Sequence, residues 1–247
     1  MRNLIFRSLA LFILLAPELF LFNSCSEQPL PPPEPRAAII DQLNPSLPDP
    51  AFIEQTTSIL QNDSFKVDYY QGAQITVDLY RRLPSLGYSL ILFRAHSGLL
   101  GNGSKTNQKT CLFTNQLYSP TSEIGDQLTN RLVQARVNQD PPLFGIGADF
   151  VSHSMQSQFN GTTVIMMGCS SLESDDLARA FVAKGASLYM GWNAEVDLGY
   201  VENATLTLLN RLAGNNLLPA AAIKETMQAA GPDPYSGAEL YSCSSAK

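Results

Sequence analysis

The segment Thr162-Thr-Val-Ile-Met-Met-Gly168 is apolar without alternation, and that most restricts the fold. A strand facing solvent on one side alternates polar and apolar residues. A strand that does not alternate must be covered on both faces, as in a parallel sheet between helices. Tyr88 to Ala95, entered through Gly87, and Ala186 to Trp192 read the same way. Helical stripes lie between such runs. Ile75, Leu79 and Leu83 recur at spacing four and stop at Pro84. Ser174 can cap a helix carrying Leu177, Ala180 and Phe181, ended by Gly185. Val201, Ala204, Leu208 and Leu212 form another stripe, and Pro219 to Ala230 a last helix. Phe52 to Leu60 predicts a helix, Phe65 to Tyr70 a short strand, and Thr110 to Tyr118 a strand at an edge or in a hairpin. Ile124, Leu128, Leu132 and Ala135 predict one helix face; Phe144 to Val151 predicts a strand or turn, and Ala238 to Ser242 a final strand. Strands alternating with helices predict an α/β fold with a mainly parallel sheet flanked by helices. In such sheets, function lies beyond the carboxyl ends of the strands.

The 247 residues fit one main core. With 45% apolar and 15% charged residues, wholesale disorder is excluded. Sixteen Lys and Arg against 22 Asp and Glu give a net charge of −6, which argues against a nucleic-acid binder. Four cysteines with no CxxC exclude a disulfide-built scaffold and a structural zinc site. Gly101-Asn-Gly103 is a turn, not a phosphate loop. No metal and no organic cofactor is expected.

Residues 1–24 predict a signal peptide: Arg2 and Arg7 lead an apolar stretch that closes on Asn23-Ser24. Pro17 and Glu18 interrupt that stretch, which argues against a stable membrane span. Cys25 directly follows and resembles a bacterial lipoprotein acceptor. The resemblance implies lipidation of its thiol and a membrane contact through that lipid, on the outer face of a bacterial membrane. Plain secretion or an uncleaved anchor are the alternatives. Without residues 1–24 the chain carries 14 cations and 21 anions, so attraction to anionic lipid is not the anchoring device. Eight of the sixteen prolines fall between Pro29 and Pro50, so residues 25–50 predict a semi-rigid tether ahead of a domain at 51–247.

Two predicted strand ends carry reactive groups. His96 follows Leu90–Ala95, and Cys169 follows Val164–Gly168. A cysteine thiolate is a nucleophile, and a nearby imidazole can activate it and protonate a leaving amine. Alternatively, Cys169 is a packed free cysteine, as buried cysteines commonly are.

These segments resemble the caspase–gingipain–separase clan of cysteine peptidases. The resemblance rests on an apolar strand ending in His96 and on Val164-Ile-Met-Met-Gly-Cys-Ser-Ser171. Asp176–Ser187 and Leu188-Tyr-Met-Gly-Trp-Asn193 continue it in the separase and CHAT pattern. It spans roughly Tyr88 to Leu212. It implies a caspase-like three-layer sandwich, a His96/Cys169 dyad, and a peptide or protein substrate. Backbone N–H groups of Ser97, Gly98 and Cys169 are implied as the oxyanion hole, although the family has Gly directly after the histidine and this chain has Ser97 there. Glu195 and Asp197, after the strand ending at Trp192, are implied to line the specificity pocket and to favour a basic residue before the scissile bond. Asp197 reads equally well as a helix start. Trp192 either floors that pocket or fills core. His153 and Asp149 read as surface groups rather than an alternative base and its partner. Cys111 and Cys243 either form a disulfide or stay free. The expected activity is that of an exported, lipid-anchored cysteine endopeptidase. The alternatives are a catalytically inactive caspase-like binding module, or a transferase or esterase on the same fold.

Overall fold

A computed structural model describes residues 34–100, 108–214 and 217–245. The predicted signal peptide, Cys25, the first part of the tether and the Gly101-Asn-Gly103 turn lie outside the described residues.

The described residues open with β1 (Arg36–Asp41), α1 (Pro50–Asn62), β2 (Lys66–Gln71), α2 (Val77–Arg82) and β3 (Leu90–Arg94). A second set follows: β4 (Ser97–Leu100), β5 (Lys109–Leu117), α3 (Ile124–Leu128), β6 (Leu132–Ala135), β7 (Leu143–Ile146) and α4 (Ala148–His153). The chain then returns through β8 (Thr163–Met166), α5 (Asp176–Ala183), β9 (Leu188–Trp192), α6 (Leu198–Leu209), α7 (Pro219–Ala230) and β10 (Leu240–Ser244). Six strands form one sheet in the order β10-β9-β8-β3-β1-β2. All its pairings are parallel except β10 with β9. The protein is therefore an α/β structure with a mixed, mostly parallel sheet flanked by helices.

The unalternating strands divide their side chains between two cores. Ala38, Ile40, Ile91, Phe93, Val164 and Met166 face α2, α4 and α5. Ala37, Ile39, Leu90, Leu92, Ile165 and Met190 face α1, α6 and α7. Period-two alternation in a strand buried on both sides gives this outcome. Asp49 caps α1 by accepting the Phe52 N–H at 2.9 Å, with Pro50 in the first turn, and Thr76 caps α2 by accepting from Leu79 at 3.1 Å. The cap expected of Ser174 is not made; α5 starts at Asp176, and the Ser174 hydroxyl bonds the Asp176 carboxylate at 3.0 Å.

Three expectations need correction. The tether predicted to reach residue 50 ends sooner, because Arg36–Asp41 is a strand between β2 and β3, and the compact unit starts at Glu34. The helix predicted through Ile124, Leu128, Leu132 and Ala135 is a five-residue helix followed by β6. Ile124 and Leu128 are exposed, so only half the apparent stripe reaches the core. Finally, β4, β5, β7 and β6 form a separate antiparallel sheet, in that order, which the alternation did not predict.

One charged cluster lies inside the fold. Arg94, at the carboxyl end of β3, is wholly buried. Its Nη1 donates to Asp41 at 2.7 Å, its Nε to Glu202 at 2.8 Å, and its Nη2 to the Leu47 carbonyl at 2.7 Å. The second Asp41 oxygen accepts from the Tyr69 hydroxyl at 2.9 Å. Removing one partner of a buried pair strands the other charge, typically at a cost of about 3–5 kcal/mol. Arg94→Ala is therefore expected to lower the unfolding free energy by about 3–5 kcal/mol in a urea titration. A loss below about 1 kcal/mol, the scale of an exposed pair, would contradict this account of the cluster.

Candidate active site

The strand order turns back between β1 and β3, so a crevice opens at their carboxyl ends. His96 stands there, two residues beyond β3, and Cys169 stands three residues beyond β8, the strand paired with β3. Both side chains are partly buried, and both border one small pocket of about 80 Å³. His96 also borders a larger cavity of about 650 Å³ reaching Gln42, Ala73 and Asp140. Cys169 borders an outer groove of about 510 Å³ shared with Ser97, Gly98 and Glu195.

Backbone contacts hold the histidine. The His96 N–H donates to the Gln42 side-chain oxygen at 2.9 Å, and its carbonyl accepts from Phe113 in β5 at 3.1 Å. Gln42 is itself fixed by the Arg94 carbonyl, which accepts its N–H at 2.9 Å, and by Asn115, which accepts from its side-chain amide at 2.8 Å. Burial holds His96 below the usual imidazole range, opposed by the charge of Asp140.

The cysteine sits on a tight corner. The Ser97 hydroxyl donates to the Cys169 carbonyl at 2.7 Å. A Cβ on Gly168 would lie 2.2 Å from that hydroxyl oxygen and 2.6 Å from the Ala95 carbonyl, so glycine is required before the thiol. Ser170, just after it, takes a left-handed φ of 52°, uncommon for a residue with a Cβ. The turn is held to the end of β9 and the loop after it by Ser170 N–H on the Ala194 carbonyl (2.8 Å) and by Trp192 N–H on the Ser171 hydroxyl (2.9 Å).

No hydrogen bond joins His96 to Cys169 among the described residues. The thiol Sγ lies 3.7 Å from the Val196 carbonyl, its acceptor, and receives the Val196 N–H at 3.5 Å. Burial raises the thiol above its usual range. The Val196 amide works against this, while Glu195 and Asp233 add to it. The resting pair is therefore a neutral thiol beside a neutral imidazole.

The remaining predicted groups divide. Phe113 bonds the His96 carbonyl, so Ser97–Leu112 is a non-hydrogen-bonded pair. That pattern commits the Gly98 amide to β5 and leaves the Ser97 amide outside the ladder. Of the three amides predicted as oxyanion donors, the ladder thus takes up that of Gly98 and not that of Ser97. Trp192 does not floor the site. It is buried against α6, its ring 5.5 Å from that of Tyr200. Asp197 caps α6 through the Tyr200 N–H at 3.0 Å and lies away from the pocket. Glu195 lies exposed along the outer groove. His153 is exposed at the end of α4, and Asp149 pairs with Lys109 at 3.3 Å. Cys111 and Cys243 are free thiols on different sheets, one buried beside Gly145 and one on β10. Of the two alternatives for this pair, the structure shows the free one.

Sequence reading missed Gln42, Val196 and Asp233. Asp233 is buried and accepts N–H groups from Asp197, Tyr235 and Ser236, and its loop sets the Ser236 hydroxyl on the Glu195 carbonyl. Burial opposes ionisation of Asp233, but those amides outweigh it and hold the carboxyl below its usual range. An acidic residue inside Gly231-Pro-Asp-Pro234 was the available sign of such a turn. Among the described residues no group of three His, Cys, Asp or Glu could hold a metal ion. No protein-family model matches the chain, and no curated protein is similar to it.

Two outcomes test this geometry. Gly168→Ala is expected to cost about 1–3 kcal/mol in denaturant unfolding, the range for a forced overlap; unchanged stability contradicts the tight corner. Alkylation of Cys169 by iodoacetamide, read by mass spectrometry of its peptide, is expected to keep accelerating above the pH at which an ordinary thiol levels off. Levelling at or below that pH contradicts a raised thiol.

Proposed function

We propose that the protein is an exported, lipid-anchored cysteine endopeptidase with a caspase-like fold, and that His96 and Cys169 are its dyad. One observation carries this reading. The only histidine and the only cysteine at carboxyl ends of the parallel strands among the described residues stand on paired strands, β3 and β8, and border one pocket. The sheet order and its two helical layers are compatible with the sandwich implied by the sequence resemblance. Export and lipidation at Cys25 rest on the sequence alone.

The chemistry runs from the neutral pair. Cys169 gives its proton to His96 as Sγ bonds to the peptide carbonyl carbon. The oxyanion that forms is met by the amides of Ser97 and Cys169. The C–N bond breaks, and the departing amine takes the proton from His96. A water molecule then gives a proton to His96 and attacks the thioester. The acid product leaves, and the proton returns to sulfur. No cofactor enters these steps.

A second reading, a binding module on the same fold, is favoured by the Val196 contacts that hold the thiol and by the absence of a bond between it and His96. The two readings part on substitution. Cys169→Ala and Cys169→Ser are expected to abolish cleavage of a peptide library, and His96→Ala to lower it at least ~10²-fold. His153→Ala is expected to keep most activity. Full activity in Cys169→Ala would falsify the peptidase reading, and absence of cleavage by the wild type leaves the binding module.

A further inference from the structure

We infer that the pocket between His96 and Cys169 selects a small apolar side chain, Ala or Val, on the residue whose carbonyl Cys169 attacks. The inference rests on the peptidase reading and names its substrate class.

Four spaces border the two groups among the described residues. The outer groove touches Cys169 and not His96, whereas the larger cavity and a space of about 330 Å³ along β4 and β5 touch His96 and not Cys169. Of the four, the 80 Å³ pocket touches both. The attacked carbonyl carbon lies at Sγ while its nitrogen departs toward the imidazole, so the Cα attached to that carbon sits beside both groups. Its side chain enters the space they share.

The walls of that space are Leu43, Leu47, Met167, Val196, Leu198 and Val201. His96 and Cys169 are the only polar side chains on its lining, and no charged side chain borders it. Lys, Arg, Asp or Glu placed there would lose water without gaining a counter-charge. An apolar cavity of ~150 Å³ accommodates benzene, and this pocket has about half that volume, so Ala or Val fits it better than an aromatic ring does. The preference for a basic residue expected from Glu195 and Asp197 therefore has no support here: one lies along the outer groove and the other caps α6.

The walls are also fixed. Leu43 and Leu47 belong to the loop after β1, whose Leu43 N–H bonds the Arg94 carbonyl at 3.3 Å and whose Leu47 carbonyl accepts the Arg94 guanidinium at 2.7 Å. Val201 is on α6, next to Glu202, which bonds the same guanidinium. Leu47 is itself 45% exposed, so trimming it opens the pocket without emptying the core.

The test uses the full-length protein and a series of peptidyl acyloxymethyl ketones that differ only in the residue next to the ketone: Ala, Val, Leu, Phe, Asp or Arg. In each, Sγ bonds to the methylene carbon as the carboxylate leaves, and the mass of the Cys169 peptide reports the reaction. The same six residues are presented in a cleavable peptide library. Ala and Val are expected to react at least ~10-fold faster than Phe, Asp and Arg, the scale set by one misfitted methylene or more. Leu47→Ala, checked for an unchanged unfolding midpoint, is expected to raise the Leu-to-Ala rate ratio by ~10-fold or more. Faster reaction with Phe, Asp or Arg, dependent on His96, overturns the pocket assignment and leaves the peptidase reading standing. An unchanged Leu-to-Ala ratio in a folded Leu47→Ala also overturns it. No modification of Cys169 by any probe, with no library peptide cleaved, removes the peptidase reading and the pocket assignment with it.

Discussion

A guanidinium sealed from water has to be met by acceptors from every side, and Arg94 gathers three from separate parts of the chain. Asp41 comes from β1, Glu202 from α6, the Leu47 carbonyl from the loop after β1, and Tyr69 from β2 orients the far side of Asp41. Satisfying that one charge brings the carboxyl ends of β1 and β3, their loop and the start of α6 to fixed positions. Gln42, adjacent to Asp41, then bonds the Arg94 carbonyl and the His96 amide. The position of the imidazole thus follows from the burial of a cation two residues earlier. Such a cluster is weak evidence for stability, since desolvation offsets much of the attraction. Its consequence here is geometric: it sets where the residues around the crevice stand.

The resting site is held back from chemistry by its own environment. Sγ is engaged by both backbone groups of Val196, and burial keeps its proton on. His96 is kept neutral by burial. In the proposed reaction a neutral imidazole can accept the thiol proton, whereas an imidazolium could not. On the proposed reading the protein is exported, and a free thiolate in an oxidising space is open to oxidation; a protonated, partly buried thiol is the less vulnerable form. The Ser97 hydroxyl on the Cys169 carbonyl and the left-handed Ser170 hold the turn at Cys169 in one shape.

The central strands were legible because burial on both faces leaves an unbroken apolar run, and β3, β8 and β9 all carry one. α7 matches its predicted bounds because Pro219 and Gly231 punctuate it. β1 has a comparable core, Ala37-Ala38-Ile-Ile40, but surrounding prolines made it read as tether. The antiparallel sheet was hidden differently. Apart from β5, which the sequence did predict, its strands have only four residues each, and Ile124, Leu128, Leu132 and Ala135 imitate a helical stripe across a break at Asn130, whose φ is 53°. The two strand-end residues of the candidate site were visible from their neighbours. Their surroundings were not, because Gln42, Val196 and Asp233 act through contacts distant in sequence. Of the alternatives left open, the structure takes core for Trp192, a helix cap for Asp197 and free thiols for Cys111 and Cys243, because which side of a strand end or which sheet a group occupies is not written in its neighbours. Arg94 and Asp41 did leave a trace, since each is a charge closing an otherwise apolar run.

The central claim is that the thiol of Cys169 carries the reaction. The most direct measurement is residual cleavage of the peptide library against the fraction of Cys169 alkylated, counted by mass spectrometry of its peptide. The account predicts a straight-line fall that reaches zero at complete alkylation of Cys169, whatever the state of Cys111 and Cys243. Cleavage that persists with Cys169 fully alkylated would contradict it.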